Sequence, residues 1–306
     1  MIKVFIDGRE GTTGLQIDER LKGRKDISVI RLPEELRKDV AARKEAINSS
    51  DVTFLCLPDA AAKEAVTLVE NADTVIIDAS TAHRTSEGWA YGFAELSKEH
   101  REAIKKSKRI ANPGCYASGF IALVYPLVAA GVLPKDYPLV CHAVSGYSGG
   151  GKKTIAQYES AEREVALNTP RLYALGLEHK HLPEMKKVCS LSKTLLFNPY
   201  ICDYYSGMSV SIPLFSEGLK AGTTKQKIEE IISGHYAGSA FIKVGKEEGF
   251  LAANALVGTN EMHLFINGND ERILLTATLD NLGKGASGAA VQNMNIALGL
   301  DEKLGL

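Results

Sequence analysis

The tightest constraint on the fold lies in the first fourteen residues. KVFID (3–7) is a short apolar run of β type, followed at once by GREGTTG, with glycines at 8, 11 and 14. A helical pattern opens behind them. A strand that turns into a helix through closely spaced glycines belongs to a βαβ unit. The missing side chains let the main chain approach a diphosphate, whose charge the helix N-terminus holds. The spacing is GxxGxxG rather than GxGxxG, and an ordinary glycine-rich turn is the competing explanation. Its position directly after the first strand favours a dinucleotide site built from Gly8, Gly11, Thr12, Thr13 and Gly14.

Three more β-type runs follow, SVIRL (28–32), DVTFLCLP (51–58) and TVIIDAS (74–80), separated by helical stretches such as KDVAARKEAINSS and AAAKEAVTLVENA. Strands alternating with helices of about ten residues predict a parallel sheet. Beyond an apolar helical run at 116–131 the texture changes. PLVCHAVSG, TLLFNPYIC, GMSVSIPLF, MHLFING and RILLTATLD are β-rich, with few helices between them. They predict an α+β domain with a mixed sheet. The tail GASGAAVQNMNIALGL is helical again, with Ala290, Met294, Ala297 and Leu298 at helical spacing. The expected architecture is α/β. A Rossmann-like dinucleotide-binding domain spans 1–115 plus 286–306, and its last helix returns to it. A second, catalytic and oligomerisation domain spans 116–285.

Composition narrows the class. Of 306 residues, 36 are Lys or Arg and 37 Asp or Glu, a net charge of −1. That balance argues against nucleic acid or an anionic membrane as the main partner. The five cysteines (56, 115, 141, 189 and 202) are odd in number, scattered and without a CxxC pair. They form neither a disulfide framework nor a zinc site, so no metal is expected. Reduced thiols, no long apolar span and no signal-type region before the first strand predict a cytoplasmic protein.

RIANPGCYASGF (109–120) places Cys115 behind Asn112-Pro113-Gly114 and at the start of a helix. Free N–H groups and the helix dipole favour negative charge there, and the thiolate is the nucleophilic form. The competing reading is a small buried hydrophobe. GLEHKHLPEM supplies His179 and His181, two residues apart, with Pro183 and Glu184 suited to a first helical turn. The pair lacks the spacing of a helical metal site, so an acid–base partner for Cys115 is the functional reading and a hydrogen-bonded structural histidine the bland one.

Other positions are candidates by location. The second strand ends in Arg31, where an NAD site carries an acid; arginine there suits a 2′-phosphate and points to NADP. A solvated surface arginine, with Glu34 and Glu35 nearby, is the alternative. DASTAHR ends the fourth strand with Ser80, His83 and Arg84, where ligands of parallel sheets bind. VSGYSGGGKK (144–153), with Ser148, Gly149 and Lys152, can cradle an anion or serve as a flexible turn. DNLGKGASG (280–288), with Asn281 and Lys284, invites the same two readings.

These stretches together resemble the shorter type of N-acetyl-gamma-glutamyl-phosphate reductases, a family related to the aspartate-semialdehyde dehydrogenases. The matching pieces are GREGTTG, DVTFLCLPDAAAKEA, IIDASTAHR, WAYGFAEL, ANPGCYAS, SGYSGGGKK, EHKHLPEM and DNLGKGASGAAVQNMNIALGL, spread over nearly the whole chain. The resemblance implies NADPH-dependent reduction of N-acetyl-glutamyl phosphate to the semialdehyde, with release of phosphate, as a step of arginine biosynthesis. Cys115 would form a thioester and His179 or His181 would move the proton. Gly8, Gly11, Thr12, Thr13, Gly14 and Arg31 would hold the cofactor, joined by Ser80, Ser148, Gly149, Asn281 and Lys284. Arg84, Asn112 and Lys152 would touch the acyl phosphate. A homodimer or homotetramer is implied.

Three other functions compete. Another acyl-phosphate reductase, for aspartate or a lysine-pathway analogue, would keep the same chemistry. A cysteine hydrolase or acyltransferase would use Cys115 without a nucleotide. A non-catalytic dinucleotide sensor would need no thiol at 115.

Overall fold

The structure, a computed structural model, describes all 306 residues. The chain divides into two compact units, Met1–Pro113 with Ala286–Leu306, and Gly114–Gly285.

The first unit is the predicted alternation. Strands β1 (Ile2–Asp7), β2 (Ile27–Ile30), β3 (Val52–Leu55), β4 (Val75–Asp78), β5 (Ala90–Tyr91) and β6 (Arg109–Ala111) form one sheet in the order β2-β1-β3-β4-β6-β5. Every pairing is parallel. Helices α1 (Thr12–Leu21), α2 (Val40–Asn48), α3 (Asp59–Thr67) and α4 (Lys98–Lys106) connect the strands. Alternate side chains feed two cores, as the strand period requires. Val4, Ile6, Val52 and Phe54 pack with Ile17 and Ile104 on one face. Phe5, Leu55 and Ile76 pack with Ala46, Ile47, Ala62 and Ala65 on the other.

The last helix, α9 (Gly288–Ala297), adds Ala290, Val291 and Met294 to the first of these cores, which is the predicted return of the tail. It is buried on nearly every side, so its polar residues need partners. Asn295 accepts from Arg24 Nη1 at 3.2 Å and donates to the Leu304 carbonyl at 2.9 Å. Asn293 Nδ2 donates to the Gly92 carbonyl at 2.9 Å.

The second unit is built on a seven-stranded sheet. Its elements are α5 (Cys115–Ala129), β7 (Val140–Gly146), α6 (Gly151–Glu159), β8 (Arg171–Leu172), α7 (Leu182–Val188), β9 (Leu196–Cys202), β10 (Met208–Phe215), α8 (Lys225–His235), β11 (Ile242–Gly245), β12 (Met262–Gly268) and β13 (Arg272–Leu279). The order is β11-β12-β13-β10-β7-β9-β8. The pairs β7–β9 and β11–β12 are parallel and the others antiparallel, the mixed sheet expected from the β-rich texture. β10 alternates cleanly. Met208, Val210, Ile212 and Leu214 are buried, whereas Ser209, Ser211, Pro213 and Phe215 point to the opposite face. Helix α5 covers the buried face; its Gly119 lies so close to Val210 that a Cβ would come within 2.8 Å of Val210 Cγ2. No helix is long and apolar enough to cross a membrane.

Candidate active site

Candidate functional residues of the first unit gather at the carboxyl ends of β1 and β3, where the strand order changes direction. Ligands of open α/β sheets bind at such a point. Gly8 leaves β1 at φ +83°, a conformation that L side chains avoid, and a Cβ there would meet the Cys56 carbonyl oxygen at 2.4 Å. Gly14 is equally confined: its Cβ would fall 2.7 Å from both the Gly8 oxygen and Arg9 Cα. The turn therefore brings main chain against main chain. Gly11 leads into α1 with no side-chain cap, and no acid lies in the first turn. Such a helix start favours an anion.

A cleft of about 730 Å³ opens beside this turn, lined by Asp7, Gly8, Arg9, Glu10, Arg31 and Arg37 among others. Arg31 is half-exposed, and Asp18 orients it. The Asp18 carboxylate, buried in the second half of α1, takes Arg31 Nη2 at 3.1 Å and Arg9 Nη2 at 2.6 Å. Behind them Arg43 is tied to Asp7 at 2.9 Å, and burial raises the Asp7 carboxyl despite that pairing. Two polar atoms beside the turn, Thr12 Oγ1 and Arg9 Nε, are buried without a hydrogen-bond partner. Buried groups of this kind are otherwise paired. A dinucleotide phosphate would supply the acceptors that these two donors lack, so the residues present fit an NAD(P)-type cofactor.

The loop after β4 is organised by Asp78, which is fully buried. It accepts from Ser80 Oγ at 2.8 Å and pairs with His83 Nδ1 at 2.6 Å, while the His83 ring stacks on Trp89 at 4.1 Å. Arg84 donates to the carbonyls of Asn112 (2.9 Å) and Ala79 (3.1 Å). Asn112 in turn donates to the Ala286 carbonyl at 3.0 Å and accepts from Asn293 at 3.1 Å. It is 1% exposed. Where a substrate contact is expected, the Asn112 carboxamide makes these two bonds within the protein. Ser80 bonds within this loop, and Arg84 ties it to the segment after β6.

In the second unit Cys115 is the first residue of α5, half-buried, behind an extended Gly114 that offers no side-chain cap. Burial pushes up the thiols of Cys56, Cys141, Cys189 and Cys202. Those four match the bland reading of a buried hydrophobe. Around Cys115 the setting is polar and aromatic. Tyr116 Oη reaches the Tyr200 carbonyl at 3.3 Å. The Tyr116 and Tyr173 phenols hydrogen-bond to each other, and burial is the main cause that raises both, with Tyr173 and then Cys115 adding to it at Tyr116 and Cys115 adding to it at Tyr173. They stay protonated donors beside the sulfur.

The two histidines meet in this cluster. Their rings lie 4.7 Å apart, edge to face, and 5.9 Å (His179) and 6.0 Å (His181) from the Tyr116 ring. Phe197 and Tyr173 flank His179 at 5.1 and 5.8 Å. His179 Nδ1 accepts the His181 main-chain N–H at 3.1 Å. In the neutral ring the proton therefore sits on Nε2, where it can donate a hydrogen bond. His181 is 5% exposed and His179 is more open.

Gly285 and Glu184 complete the surroundings of the thiol. A Cβ at Gly285 would lie 2.8 Å from Cys115 Cβ. Glu184, buried at 1% exposure in the first turn of α7, accepts the Gly114 N–H at 3.2 Å. Neither was singled out for Cys115 by sequence reasoning; Glu184 registered only as a first-turn acid, and Gly285 only as one of a run of glycines. Tyr116, Tyr173 and Asp18 carried no local signal at all. Conversely, Ser148 and Asn281, expected on the cofactor, are 1% and 2% exposed and bond to each other at 3.0 Å. Asn281 Oδ1 also takes the Gly207 N–H at 2.8 Å. Their work is to pin the Tyr147–Gly150 turn. Lys284 is buried with its ammonium 5.4 Å from the Phe241 ring centre, and Gly149 and Lys152 are exposed.

Comparison with known proteins agrees with this geometry. Residues 3–106 match the family model "Semialdehyde dehydrogenase, NAD binding domain", and residues 115–281 match "Semialdehyde dehydrogenase, dimerisation domain". The chain is 48% identical over 305 residues to the N-acetyl-gamma-glutamyl-phosphate reductase of Allorhizobium ampelinum, covering 97% of this chain and 98% of that one. The chain belongs to the N-acetyl-gamma-glutamyl-phosphate reductase family. Another member, N-acetyl-gamma-glutamyl-phosphate reductase 2 of Nostoc sp., is 46% identical over 318 residues, 99% of either chain. Among solved structures, aspartate semialdehyde dehydrogenase II of Vibrio cholerae, complexed with ASA, superposes with a TM-score of 0.73 at 14% identity, covering 97% and 98% of the two chains. Aspartate semialdehyde dehydrogenase of Candida albicans with NADP gives 0.67 at 13% identity, with the same coverage. At such identities these two define the fold this reductase family member shares.

Proposed function

We propose that this chain reduces N-acetyl-glutamyl phosphate to N-acetyl-glutamate semialdehyde with NADPH, releasing phosphate, in the cytoplasm and as a step of arginine biosynthesis. The observation that carries it is Cys115 at the head of α5 beside the His179–His181 pair, in a chain of this family. The Cys115 thiolate adds to the acyl carbon, and the acyl C–O bond to phosphate breaks, leaving a thioester. The main-chain N–H groups at the start of α5 oppose the developing oxyanion. NADPH, when bound, supplies the hydride that converts the thioester to a hemithioacetal. His179, in its imidazolium form, gives its Nε2 proton to the oxygen that becomes negative, then takes the hydroxyl proton as the C–S bond breaks and the aldehyde leaves. The Tyr116 and Tyr173 phenols hold the reacting oxygen in register, and Glu184 keeps Gly114, and with it the sulfur, in place.

Arg31, set by Asp18 in the cleft beside Gly8, is the reader of the 2′-phosphate. Gly8, Gly11, Thr12, Thr13 and Gly14 receive the diphosphate, and Lys152 attracts the anionic substrate. The molecule works as a homodimer or homotetramer. The open face of the second sheet supports this, since it carries the exposed Phe215 and Leu274 on the neighbouring strands β10 and β13 and the exposed Leu196 on β9, and the matched family domain is described as one of dimerisation.

Incubation with N-acetyl-glutamate semialdehyde, NADP and phosphate, read as NADPH formation, tests the activity. Phosphate-dependent turnover that exceeds turnover of aspartate semialdehyde at least tenfold is the expected result. Preference for aspartate semialdehyde would move the chain to the sister activity, and thioester hydrolysis without nucleotide would replace the reading by a cysteine hydrolase.

A further inference from the structure

Five cationic side chains line the cleft beside the glycine turn: Arg9, Arg31, Arg37, Lys38 and Arg43. The acids around it are shared unequally among them. Arg43 has two carboxylates, Asp7 at 2.9 Å and Glu64 at 3.7 Å. Arg37 has Glu10 at 3.3 Å. Arg9 and Arg31 have one between them, Asp18, and each of its oxygens takes one Nη2. Glu34 and Glu35 also line the cleft, exposed to water and paired with neither of these two arginines. The shared pairing leaves one positive charge without a counterpart. It also leaves donors: Asp18 occupies a single nitrogen of each guanidinium, and Arg9 Nε has no hydrogen-bond partner.

The backbone explains why the two meet. Arg9 follows Gly8 just beyond β1, and Arg31 follows β2, the neighbouring strand, in a parallel register that sets Phe5 opposite Ile30. Adjacent strands lie about 4.8 Å apart, so both side chains start from the same end of the sheet. Asp18 reaches them from α1 and is 4% exposed. Its two ion pairs hold the Nη2 atoms within about 8 Å of each other, a gap that one phosphate bridges with charge-assisted bonds of about 2.7–2.9 Å. Two guanidiniums so close repel each other, and one carboxylate offsets only half of their charge. A phosphate monoester carries about −1.5 to −2 at pH 7 and three acceptor oxygens, enough to engage both. A ribose hydroxyl offers neither the charge nor the acceptors.

We propose that Arg9 is a second reader of the 2′-phosphate: Arg9 and Arg31, spaced by Asp18, bond that group together and make the site selective for NADPH over NADH. The assignment rests on the NADPH reading given above. The cofactor diphosphate offers the same acceptors, so the test separates the two phosphates.

Wild type, Arg9→Ala, Arg31→Ala and the double variant are titrated with NADPH and NADH by fluorescence, and with 2′,5′-ADP and ADP as competitors of NADPH. NADH and ADP carry the diphosphate without the 2′-phosphate, and unchanged NADH affinity also reports an intact fold. Arg9→Ala should weaken NADPH and 2′,5′-ADP about tenfold or more, and NADH and ADP less than about twofold. The double variant should bind NADPH at least about threefold more weakly than Arg31→Ala. Equal losses on NADPH and NADH would assign Arg9 to the diphosphate and overturn the proposal. So would a double variant no weaker than Arg31→Ala, which would mean that Arg9 acts only by holding Asp18. Selective loss in Arg31→Ala with none in Arg9→Ala overturns the clamp and leaves the NADPH reading standing. A wild type that binds NADPH no tighter than NADH removes that reading and the clamp with it.

Discussion

Replacing Gly285 by alanine adds one methyl group where the ideal Cβ lies 2.8 Å from Cys115 Cβ, 3.3 Å from its Cα and 3.1 Å from the Asp280 carbonyl oxygen. Carbon atoms in contact rest at about 3.5–4.0 Å, so the methyl intrudes by roughly 1 Å on its neighbour. Two of the three obstructing atoms belong to Cys115 and the third is main chain, so no flexible side-chain end can swing aside. Overpacking of this kind costs about 1–3 kcal/mol. Each kcal/mol lowers the unfolding temperature by about 2–4 °C in a domain of 150–250 residues. The chemical effect is larger. A displacement of about 1 Å in a reacting group can lower the rate roughly 10²-fold. Gly285→Ala should therefore stay folded, lose a few degrees of stability and drop kcat/KM by about two orders of magnitude. The rate of Cys115 alkylation by iodoacetamide should change with it, because the thiol has moved. Gly234→Ala is the control: it lies in α8, and a Cβ there meets nothing within 4 Å. A folded Gly285→Ala enzyme with turnover within twofold of wild type and unaltered alkylation would refute the view that this contact positions the sulfur.

Cys115→Ser removes the nucleophile and should bring activity to background with NADPH affinity kept, measured by fluorescence titration; sizeable residual turnover would sink the covalent route. His179→Asn should lower kcat by about 10²-fold or more while leaving thiol alkylation intact. His181→Asn should act mainly through stability and substrate affinity, and the reverse pattern would exchange the two roles. Arg31→Ala should weaken NADPH about tenfold or more, the worth of one charge-assisted contact, and leave NADH nearly unchanged; equal losses for both would locate the 2′-phosphate elsewhere. Burial holds the His100 imidazole below its ordinary value of 6.5. The unfolded chain therefore binds that proton more readily, so the contribution is complete above pH 6.5 and is lost as pH falls through it. His100→Gln should flatten this part of the loss, read from urea midpoints at about pH 8 and pH 5.5.

What the sequence determined by itself is local. The strand-to-helix period of the first unit predicted a parallel sheet, and the sheet is parallel throughout. The β-rich texture after residue 131 predicted the mixed sheet, and helical spacing in the tail predicted a helix that returns to the first core. Asn112-Pro113-Gly114 marked where a helix had to begin, and α5 begins at Cys115. Each of these rests on neighbours in sequence: a period, a breaker, a residue without a Cβ. The surroundings of the thiol obey no such rule. Glu184 reaches Gly114 across 70 residues, Gly285 meets Cys115 across the whole second unit, and Asn281 bonds to Ser148 across 133 residues. A glycine that must be small for the sake of another residue looks, in sequence, like any glycine. A polar side chain with a structural partner looks like one waiting for substrate. The pairing energies that separate these cases exist only once the sheet and helices have brought distant residues within hydrogen-bond reach, and that assembly was the contribution of the tertiary structure.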